Sequence, residues 1–348
     1  MPASLGYAAS APDAALAPIR FDRREPGAGE VLIEIAYCGV CHSDLHQARG
    51  EWGNTLYPCV PGHEIIGTVT AVGTGVSKFK TGDKVGVGCM VDSCGHCTSC
   101  DDGLEQYCET GMTGTYNGRL ADGTHTFGGY SQRMTVKEDF VLRLPEGMDP
   151  AGAAPLLCAG ITTYSPLSHW KVGPGQRVGV VGLGGLGHMG VKIAAAMGAE
   201  VVLFTTSPGK AEDAKRLGAS EVVISKDRDQ MKAMRGQLDF ILNTVAAAHN
   251  LDPFLDCLKR DGTMVMVGVP EVAHPSPSVG RLIGRRRAIA GSLIGGIAET
   301  QEMLDFCAKH GLVSDIEIIP MDGINEAYER MLKGDVKYRF VVDMATLG

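Results

Sequence analysis

Thiols, imidazoles and carboxylates gather between Cys38 and Glu64 at spacings that suit a metal ion. The stretch reads Cys-Gly-Val-Cys-His-Ser-Asp-Leu-His and, further on, Val-Pro-Gly-His-Glu-Ile. Cys41 and His63 are candidate ligands, and Cys158, in the later run Leu-Leu-Cys-Ala-Gly, is a candidate third. A fourth position then remains for Glu64, water or substrate. Such an exchangeable position distinguishes a catalytic zinc from a closed structural one.

Each of these residues also has a purely structural interpretation. Cys41 could be a small buried hydrophobic residue, and His63 a hydrogen-bonded histidine in a turn. Pro61 and Gly62 fix the turn before His63, and Asp44 could orient its imidazole. Taken together, these features favour a metal site.

Four further cysteines form a C-x2-C-x2-C-x7-C pattern in a segment rich in Gly and Asp. Four thiolates at this spacing can enclose one zinc, which supplies folding energy that a segment poor in apolar residues cannot gain from burial. An iron-sulfur cluster is the competing interpretation, but the fourth spacing differs from ferredoxin patterns and no Pro follows the last Cys. The predicted structural zinc ligands are Cys94, Cys97, Cys100 and Cys108.

Composition sets the class of protein. With 348 residues, 44% apolar and 21% charged, the chain is long enough for two globular domains. The net charge of −8 argues against sequence-independent nucleic-acid binding. No apolar run approaches the roughly 18 residues of a membrane span, and a signal-peptide pattern is lacking. We therefore expect a cytoplasmic protein without membrane or nucleic-acid partners. The remaining cysteines are expected to be inert: Cys38, Cys59, Cys89, Cys257 and Cys307.

The hydrophobic pattern changes character along the chain. Up to about residue 150 it predicts short strands, at 31–37, 67–72, 84–88 and 134–142, in a β-rich domain that carries both metal sites. Later strands at 177–181, 201–204, 221–224, 238–242, 264–267 and 288–292 alternate with helices, which predicts a doubly wound parallel sheet. A helix at 299–310 and a strand at 338–343 are assigned to the first domain. The predicted domains are 1–153 with 294–348, and 154–293.

A glycine-rich turn follows the strand at 177–181 and precedes an Ala-rich helix. This strand–turn–helix context raises the G-x-G-x-x-G pattern above a chance match, because it places a pyrophosphate at a helix N-terminus. A turn without a ligand is the alternative. The predicted cofactor-binding residues of the turn are Gly182, Gly184, Gly185, Leu186 and Gly187.

The cofactor is predicted to be NADPH. An Asp or Glu about twenty residues after the glycines would bind the ribose hydroxyls of NAD and repel a 2′-phosphate. Here Thr205, Thr206, Ser207 and Lys210 follow the strand instead, and they offer hydroxyls and a cation. Helix capping by Thr205 and Ser207 is the competing interpretation.

These motifs, with Lys-Tyr-Arg-Phe-Val-Val-Asp at 337–343, resemble the zinc-dependent medium-chain dehydrogenases/reductases, and within them the cinnamyl alcohol dehydrogenase group with its bacterial aldehyde reductases. The resemblance spans nearly the whole chain. It implies an α/β protein with a GroES-like catalytic domain and a Rossmann domain, two zincs per subunit, a homodimer, and reversible reduction of aldehydes to alcohols.

The same resemblance assigns individual roles. It places Cys41, His63 and Cys158 on the catalytic zinc, with Glu64 exchanging with water. It further implies that Ser43 and His46 form a proton relay and that His42 and Arg339 lie near the cofactor phosphates. Thr162 would lie near the nicotinamide. Trp52 and Tyr116 would be walls of the substrate pocket.

Three alternatives remain at this stage. A zinc-binding interaction module would leave Cys41, His63 and the glycine-rich turn unexplained, and a nucleotide sensor without activity would have no need of a proton relay. Within the enzyme class, an NAD(P)-dependent polyol or secondary-alcohol dehydrogenase is the alternative to an NADPH-dependent aldehyde reductase.

Overall fold

The structure, a computed structural model, describes residues 3–348. Its strands are β1 (Ala3–Ala8), β2 (Ala17–Asp22), β3 (Glu30–Gly39), β4 (Ile65–Val72), β5 (Lys84–Val87), β6 (Met90–Asp92), β7 (Thr113–Gly114), β8 (Arg133–Lys137), β9 (Leu142–Arg143), β10 (Arg177–Val181), β11 (Glu200–Thr205), β12 (Glu221–Ile224), β13 (Leu238–Asn243), β14 (Leu258–Met266), β15 (Ala288–Gly291), β16 (Ile316–Pro320) and β17 (Arg339–Asp343).

The first three α-helices of the chain have seven residues or fewer. The later α-helices alternate regularly with strands. The α-helices are α1 (His42–Ala48), α2 (Thr98–Asp101), α3 (Pro150–Ala153), α4 (Ala159–His169), α5 (Gly187–Ala196), α6 (Ala211–Leu217), α7 (Arg228–Ala233), α8 (Asp252–Cys257), α9 (Val279–Ile283), α10 (Ile297–Lys309) and α11 (Ile324–Leu332). Short 3-10 helices occupy Glu105–Tyr107, Glu138–Phe140, Ala154–Leu157, Pro208–Lys210, Met321–Gly323 and Met344–Thr346. No helix in residues 3–348 is long and apolar enough to cross a membrane.

The chain divides into two compact units. The first comprises Met1–Cys158 and Gly295–Gly348, and the second comprises Ala159–Ile294. The first unit thus extends to residue 158, where the sequence suggested 153, and resumes at 295, where the sequence suggested 294.

The first unit is built on a mixed sheet in the order β16-β17-β3-β4-β5-β9, with β8 also paired to β3. The long strand β3 is central, because it pairs with β17, β4 and β8, and most of its residues, such as Ile33 and Ile35, are buried. The C-terminal strand β17 returns to pair with β3, with Val342 opposite Cys38. This pairing brings the C-terminal strand to the end of β3, directly before the loop that carries Cys41.

The prediction of one strand over 134–142 is wrong. The chain leaves β8 after Lys137, makes a 3-10 turn and enters β9, which pairs with β5 and not with β3. Glu138 stabilises this turn, because its carboxylate accepts hydrogen bonds from the backbone amides of Ser77 (3.0 Å) and Lys78 (2.7 Å). The apolar pattern continues through the turn, so the sequence alone does not reveal the break.

The second unit contains a six-stranded sheet in the order β12-β11-β10-β13-β14-β15, and every pair in it is parallel. Counted from β10, this is the order 3-2-1-4-5-6 of dinucleotide-binding sheets. Fully buried Val202, Leu238 and Ile241 belong to its apolar core. The predicted α/β fold class, a GroES-like β-rich domain with a Rossmann domain, is confirmed.

Candidate active site and zinc centres

Asp44, in the first turn of α1, connects the loop of Cys41 to the loop of His63. Its carboxylate is fully buried and accepts hydrogen bonds from Cys41 N (2.9 Å), Gly62 N (3.0 Å) and His63 Nδ1 (2.9 Å). The hydroxyl of Tyr130 donates a longer bond to it (3.4 Å). Because Nδ1 of His63 donates to Asp44, its Nε2 is the nitrogen left for a metal.

The four predicted ligands of the catalytic zinc converge on one buried point of the first unit. One ligand atom from each of Cys41, His63, Glu64 and Cys158 lies within 4.8 Å of the others. The two sulfur atoms are 3.9 Å apart. Two thiolates on one tetrahedral zinc, with Zn–S bonds of about 2.3 Å, lie about 3.8 Å apart. The residues present therefore fit a zinc ion.

The surroundings of Cys41 favour the thiolate, which is the form that binds metals. A hydrogen bond from Cys158 lowers the pKa of Cys41, and burial opposes this shift. His63 and the guanidinium of Arg339 lower the pKa further. Positive charge is thus supplied to this thiol from two parts of the chain.

Glu64 is held by Arg339, which lies 275 residues further along the chain. Arg339 Nη2 donates to Glu64 Oε1 (2.5 Å) and to the carbonyl of Val40 (2.8 Å). Glu64 Oε2 is buried and has no hydrogen-bond partner within the described residues. Gly39 makes room for it, because a Cβ there would lie 1.9 Å from Oε2. One oxygen is therefore fixed and the other remains available as a ligand.

Burial and the guanidinium of Arg339 shift the pKa of Glu64 in opposite directions. Burial raises the pKa of Glu64 to about 8, although Arg339 acts in the opposite direction. Arg339 was predicted to lie near the cofactor phosphates. Its side chain is buried and its bonds go to Glu64 and Val40, and its place near the cofactor phosphates stays a prediction.

The predicted proton relay lies on α1. The hydroxyl of Ser43 is 3.7 Å from Cys41 Sγ, beside the zinc ligands. His46 is partly exposed and its Nδ1 pairs with the carboxylate of Glu51. No hydrogen bond joins Ser43 to His46 within residues 3–348, so a bound polar group would be needed to bridge them. His42, predicted to lie near the cofactor phosphates, is exposed at the start of the same helix.

The two predicted pocket walls occupy different places. The ring of Tyr116 lies 5.7 Å from that of His63, beside the zinc ligands. Trp52 is 51% exposed and lies 5.8 Å from the ring of His46. Both remain predictions, with Tyr116 next to the ligand cluster and Trp52 next to the relay.

The four cysteines of the second candidate site also fit one zinc. Their sulfur atoms all lie within 4.8 Å of one another, and those of Cys94 and Cys100 are 3.9 Å apart. Backbone amides donate to two of the sulfurs, from Cys94 to Cys108 (3.4 Å) and from Glu109 to Cys97 (3.5 Å). The Thr110 hydroxyl and the Cys94 amide lower the pKa of Cys108 to about 6. The set offers four thiolates and no exchangeable position, as in a structural site.

The glycine-rich turn has the geometry that a dinucleotide requires. Gly182 follows β10 with a φ of +92°, in the left-handed region that favours glycine. A Cβ at Gly187 would lie 1.9 Å from the carbonyl oxygen of Gly182. Around Gly184, by contrast, no heavy atom lies within 4 Å of an added Cβ. Gly185 and Leu186 complete the turn before α5.

The segment after β11 reaches back to this turn. Lys210 Nζ donates to the carbonyl of Leu183 (2.8 Å), between Gly182 and Gly184. Thr205 Oγ1 accepts from the amide of Ser207 (3.1 Å), while Thr206 and Ser207 are exposed. Ser207 stands at the N-cap of the next 3-10 helix but makes no capping hydrogen bond with its side chain. The capping interpretation therefore explains Ser207 poorly.

Thr162 and Cys89 belong to different units of the chain. Thr162 is buried in α4 of the second unit. Cys89 was expected to be inert, but it lies beside the candidate zinc ligand Cys158. A hydrogen bond with Cys158 lowers the pKa of Cys89. The Sγ of Cys89 also lies 3.6 Å from the carbonyl oxygen of Leu157. Cys89 lies outside any spacing motif, so the sequence did not indicate its contact with Cys158.

A sheet edge suited to a dinucleotide and a buried cluster of zinc ligands are the two parts of a metal-dependent dehydrogenase, and this is the class of protein that the fold and the site define. Two family models match the chain, an alcohol dehydrogenase GroES-like domain over residues 27–146 and a zinc-binding dehydrogenase over residues 185–309. The chain belongs to the family of zinc-binding alcohol dehydrogenases.

Individual relatives agree with this assignment. The chain is 65% identical to aldehyde reductase YahK of Escherichia coli over 98% of this chain and 97% of that protein. It is 52% identical to NADP-dependent alcohol dehydrogenase C of Mycobacterium bovis over 98% of both chains. A structure of CAD from Helicobacter pylori complexed with NADP(H) is similar with a TM-score of 0.92, at 43% identity, covering 99% of this chain and 98% of that one. The predicted family and enzyme class are confirmed.

Proposed function

We propose that the protein is a zinc-dependent alcohol dehydrogenase that acts mainly as an NADPH-dependent aldehyde reductase, converting aldehydes and NADPH to primary alcohols and NADP+. The observation that carries this proposal is the buried convergence of Cys41, His63, Glu64 and Cys158, with one carboxylate oxygen left without a partner. The relatives named as an aldehyde reductase and an NADP-dependent alcohol dehydrogenase support it.

The residues of the chain bind, orient and supply a proton. Zinc, when bound by these ligands, supplies a Lewis acid that polarises a carbonyl oxygen. Asp44 keeps the imidazole of His63 in one orientation and one tautomer. Aldehyde reduction also consumes a proton, which Ser43 can deliver beside the ligand cluster. His46, partly exposed and paired with Glu51, can exchange it with solvent.

Selection of NADPH is proposed to depend on the segment after β11. Thr205, Thr206 and Ser207 offer hydroxyls to a 2′-phosphate, and no acid stands there to repel it. The contact of Lys210 with Leu183 O holds its ammonium group beside the glycine-rich turn. A nicotinamide cofactor bound in this way supplies the hydride.

We further propose two zincs per subunit, a homodimer and a cytoplasmic location. The four-thiolate set supports the second zinc. Strand β15 is an edge strand of its sheet, and exposed apolar side chains lie in the segment that precedes it in the sequence: Val269, Val272, Val279 and Ile283. A second copy could cover them. No disulfide joins the eleven cysteines, all of which lie in the described part of the chain, as expected in a reducing compartment.

A rate screen tests the activity. The zinc-loaded protein would be assayed with aliphatic and aromatic aldehydes, using NADPH and NADH in parallel, and with polyols and secondary alcohols in the oxidising direction. We expect the highest kcat/KM for aldehydes with NADPH. A higher kcat/KM for polyols or secondary alcohols would replace this proposal with the dehydrogenase alternative, and metal analysis that finds fewer than two zincs in active enzyme would contradict the zinc count.

A further inference from the structure

The first unit contains a cavity of about 250 Å³ whose lining includes none of the candidate zinc ligands and combines charged with apolar side chains. It is bounded by the end of β2, by residues 120–127 and by β8. Its volume is near the lower end of natural ligand pockets, which begin at about 300 Å³. The charged and titratable side chains that line it are Asp22, Arg23, Arg24, Glu30, His125 and Lys137.

Most of the cationic groups in this lining already have an anionic partner. Arg24 forms an ion pair with Glu30, with Nη2 2.5 Å from Oε1. Lys137 Nζ lies 2.6 Å from the carboxylate of Asp92. These two cations therefore leave little charge for a ligand.

Arg23 differs from them because its hydrogen bonds go to uncharged groups. Its Nη2 donates to the carbonyls of Phe127 (2.8 Å) and Gly128 (3.3 Å) and to Ser131 Oγ (3.0 Å). Its Nε is buried and has no acceptor in the part of the chain that the structure describes. Burial lowers the pKa of Arg23 to about 9, so the group is still charged at neutral pH. Arg23 forms no ion pair within the described residues, and a buried guanidinium nitrogen without an acceptor is costly, so a bound anion would lower that cost.

His125 adds a second unsatisfied polar atom and an apolar wall. Its Nε2 is also buried without a partner within residues 3–348. Its ring packs on Phe127 at 4.8 Å, and Phe127 contacts Phe21 edge-on at 4.9 Å. The guanidinium of Arg23 lies over the ring of Phe21 at 4.9 Å. The nitrogen atoms of Arg23 and His125 thus lie close to the aromatic rings of Phe21 and Phe127.

We propose that this cavity binds a small oxyanion, and that a monocarboxylate with a short apolar or aromatic group fits it best. Its oxygens would accept hydrogen bonds from Arg23 Nε and His125 Nε2, and its apolar part would pack on Phe127. The exposed carboxylate of Asp22 lies in the lining and opposes a second negative charge. A single charge is therefore preferred to the dianion of phosphate.

The test is calorimetric titration of the zinc-loaded protein with benzoate, acetate and phosphate. We expect benzoate to bind most tightly. Arg23→Met should weaken it by about tenfold or more, because a charge-assisted hydrogen bond and the counter-charge are lost. Asp22→Asn should strengthen binding. Arg20→Met is the matched control, because Arg20 is an exposed arginine of β2 outside the cavity lining, and it should leave the affinity unchanged.

Carboxylate binding that is equally strong in the wild type, Arg23→Met and Asp22→Asn would overturn the proposal, because a site elsewhere on the protein would behave in that way. If Arg23→Met does not fold, His125→Phe and Asp22→Asn decide, with weaker and stronger binding expected respectively. Phosphate binding without carboxylate binding would overturn the choice of a monocarboxylate.

Discussion

At the scale of single residues, Asp44 contacts two candidate zinc ligands at once. Its carboxylate fixes the amide of Cys41 and the imidazole of His63, and it has no exposure to solvent. We expect Asp44→Asn to lower zinc affinity and kcat by about tenfold to hundredfold, the range found for groups that orient metal ligands. Competition with a chelator of known affinity measures the first effect.

A turn aspartate provides the control for this variant. Asp83 accepts a backbone hydrogen bond from Lys80 N (2.9 Å) in the turn before β5. Asp83→Asn should change stability slightly and leave zinc affinity unchanged. Equal zinc affinity in Asp44→Asn and the wild type would show that Asp44 does not position His63.

Glu64→Gln tests both the ion pair of Glu64 with Arg339 and the proposed exchange of Glu64 at the zinc. Its Oε1 is bound by Arg339, while Oε2 remains available to the zinc. Glu64→Gln keeps the size and one oxygen but loses the charge. We expect a loss of about 1.5–3 kcal/mol in the free energy of unfolding, the value of a hydrogen bond to a charged group, together with a lower kcat. Denaturant unfolding and steady-state kinetics measure the two effects. Full activity in this variant would show that exchange of Glu64 at the zinc does not matter.

We expect the cofactor preference to depend on a few side chains at the end of β11 and directly after it. Thr205→Asp should place a negative charge where we expect the 2′-phosphate, and Lys210→Ala should remove a cation beside the glycine-rich turn. Each should lower the ratio of kcat/KM for NADPH to that for NADH, by about tenfold to hundredfold if a full charge-assisted contact is lost. Lys215→Ala, on an exposed position of α6, is the control. An unchanged ratio in both test variants would remove the physical basis for this assignment.

At the scale of elements, the sequence predicted what is encoded locally. The strand–turn–helix around Gly182 and the four-cysteine lobe are contiguous in sequence, so spacing alone sets their geometry. The pairing of Glu64 with Arg339 was not predicted, because it depends on β17 returning to β3. The contact of Cys89 with Cys158 was missed for the same reason, since it joins separate parts of the chain.

The glycines of the turn after β10 should respond differently to substitution. Gly187→Ala would place a Cβ 1.9 Å from the carbonyl oxygen of Gly182. We expect it to lower the free energy of unfolding by about 1–3 kcal/mol, as overpacking does. Gly184→Ala meets no heavy atom within 4 Å and should leave stability unchanged. It should instead raise the KM for NADPH, because its Cβ would stand where the pyrophosphate approaches. If the KM is unchanged in Gly184→Ala, the turn does not contact the cofactor as proposed.

At the scale of the whole molecule, β15 is one of the two edge strands, with β12, in the sheet of the second unit. Strand β15 has β14 as its only neighbour in the described sheet, and its backbone could pair with another strand. Ile283, at the end of α9, is 77% exposed, and Val279 on the same helix is 62% exposed. Exposed apolar side chains and an open strand edge in the same unit are both typical of surfaces that another subunit covers.

Replacement of one apolar side chain tests this surface. Ile283→Asp should shift the protein from dimer to monomer and raise the dissociation constant by about tenfold or more, because a carboxylate would be buried without a partner. Ile318→Asp is the matched control, because Ile318 is also exposed, at 53%, on the edge strand β16 of the other sheet. Sedimentation velocity over a range of protein concentrations measures both variants. A wild type that sediments as a monomer at all concentrations, or dissociation by Ile318→Asp and not by Ile283→Asp, would contradict a dimer formed through β15 and α9.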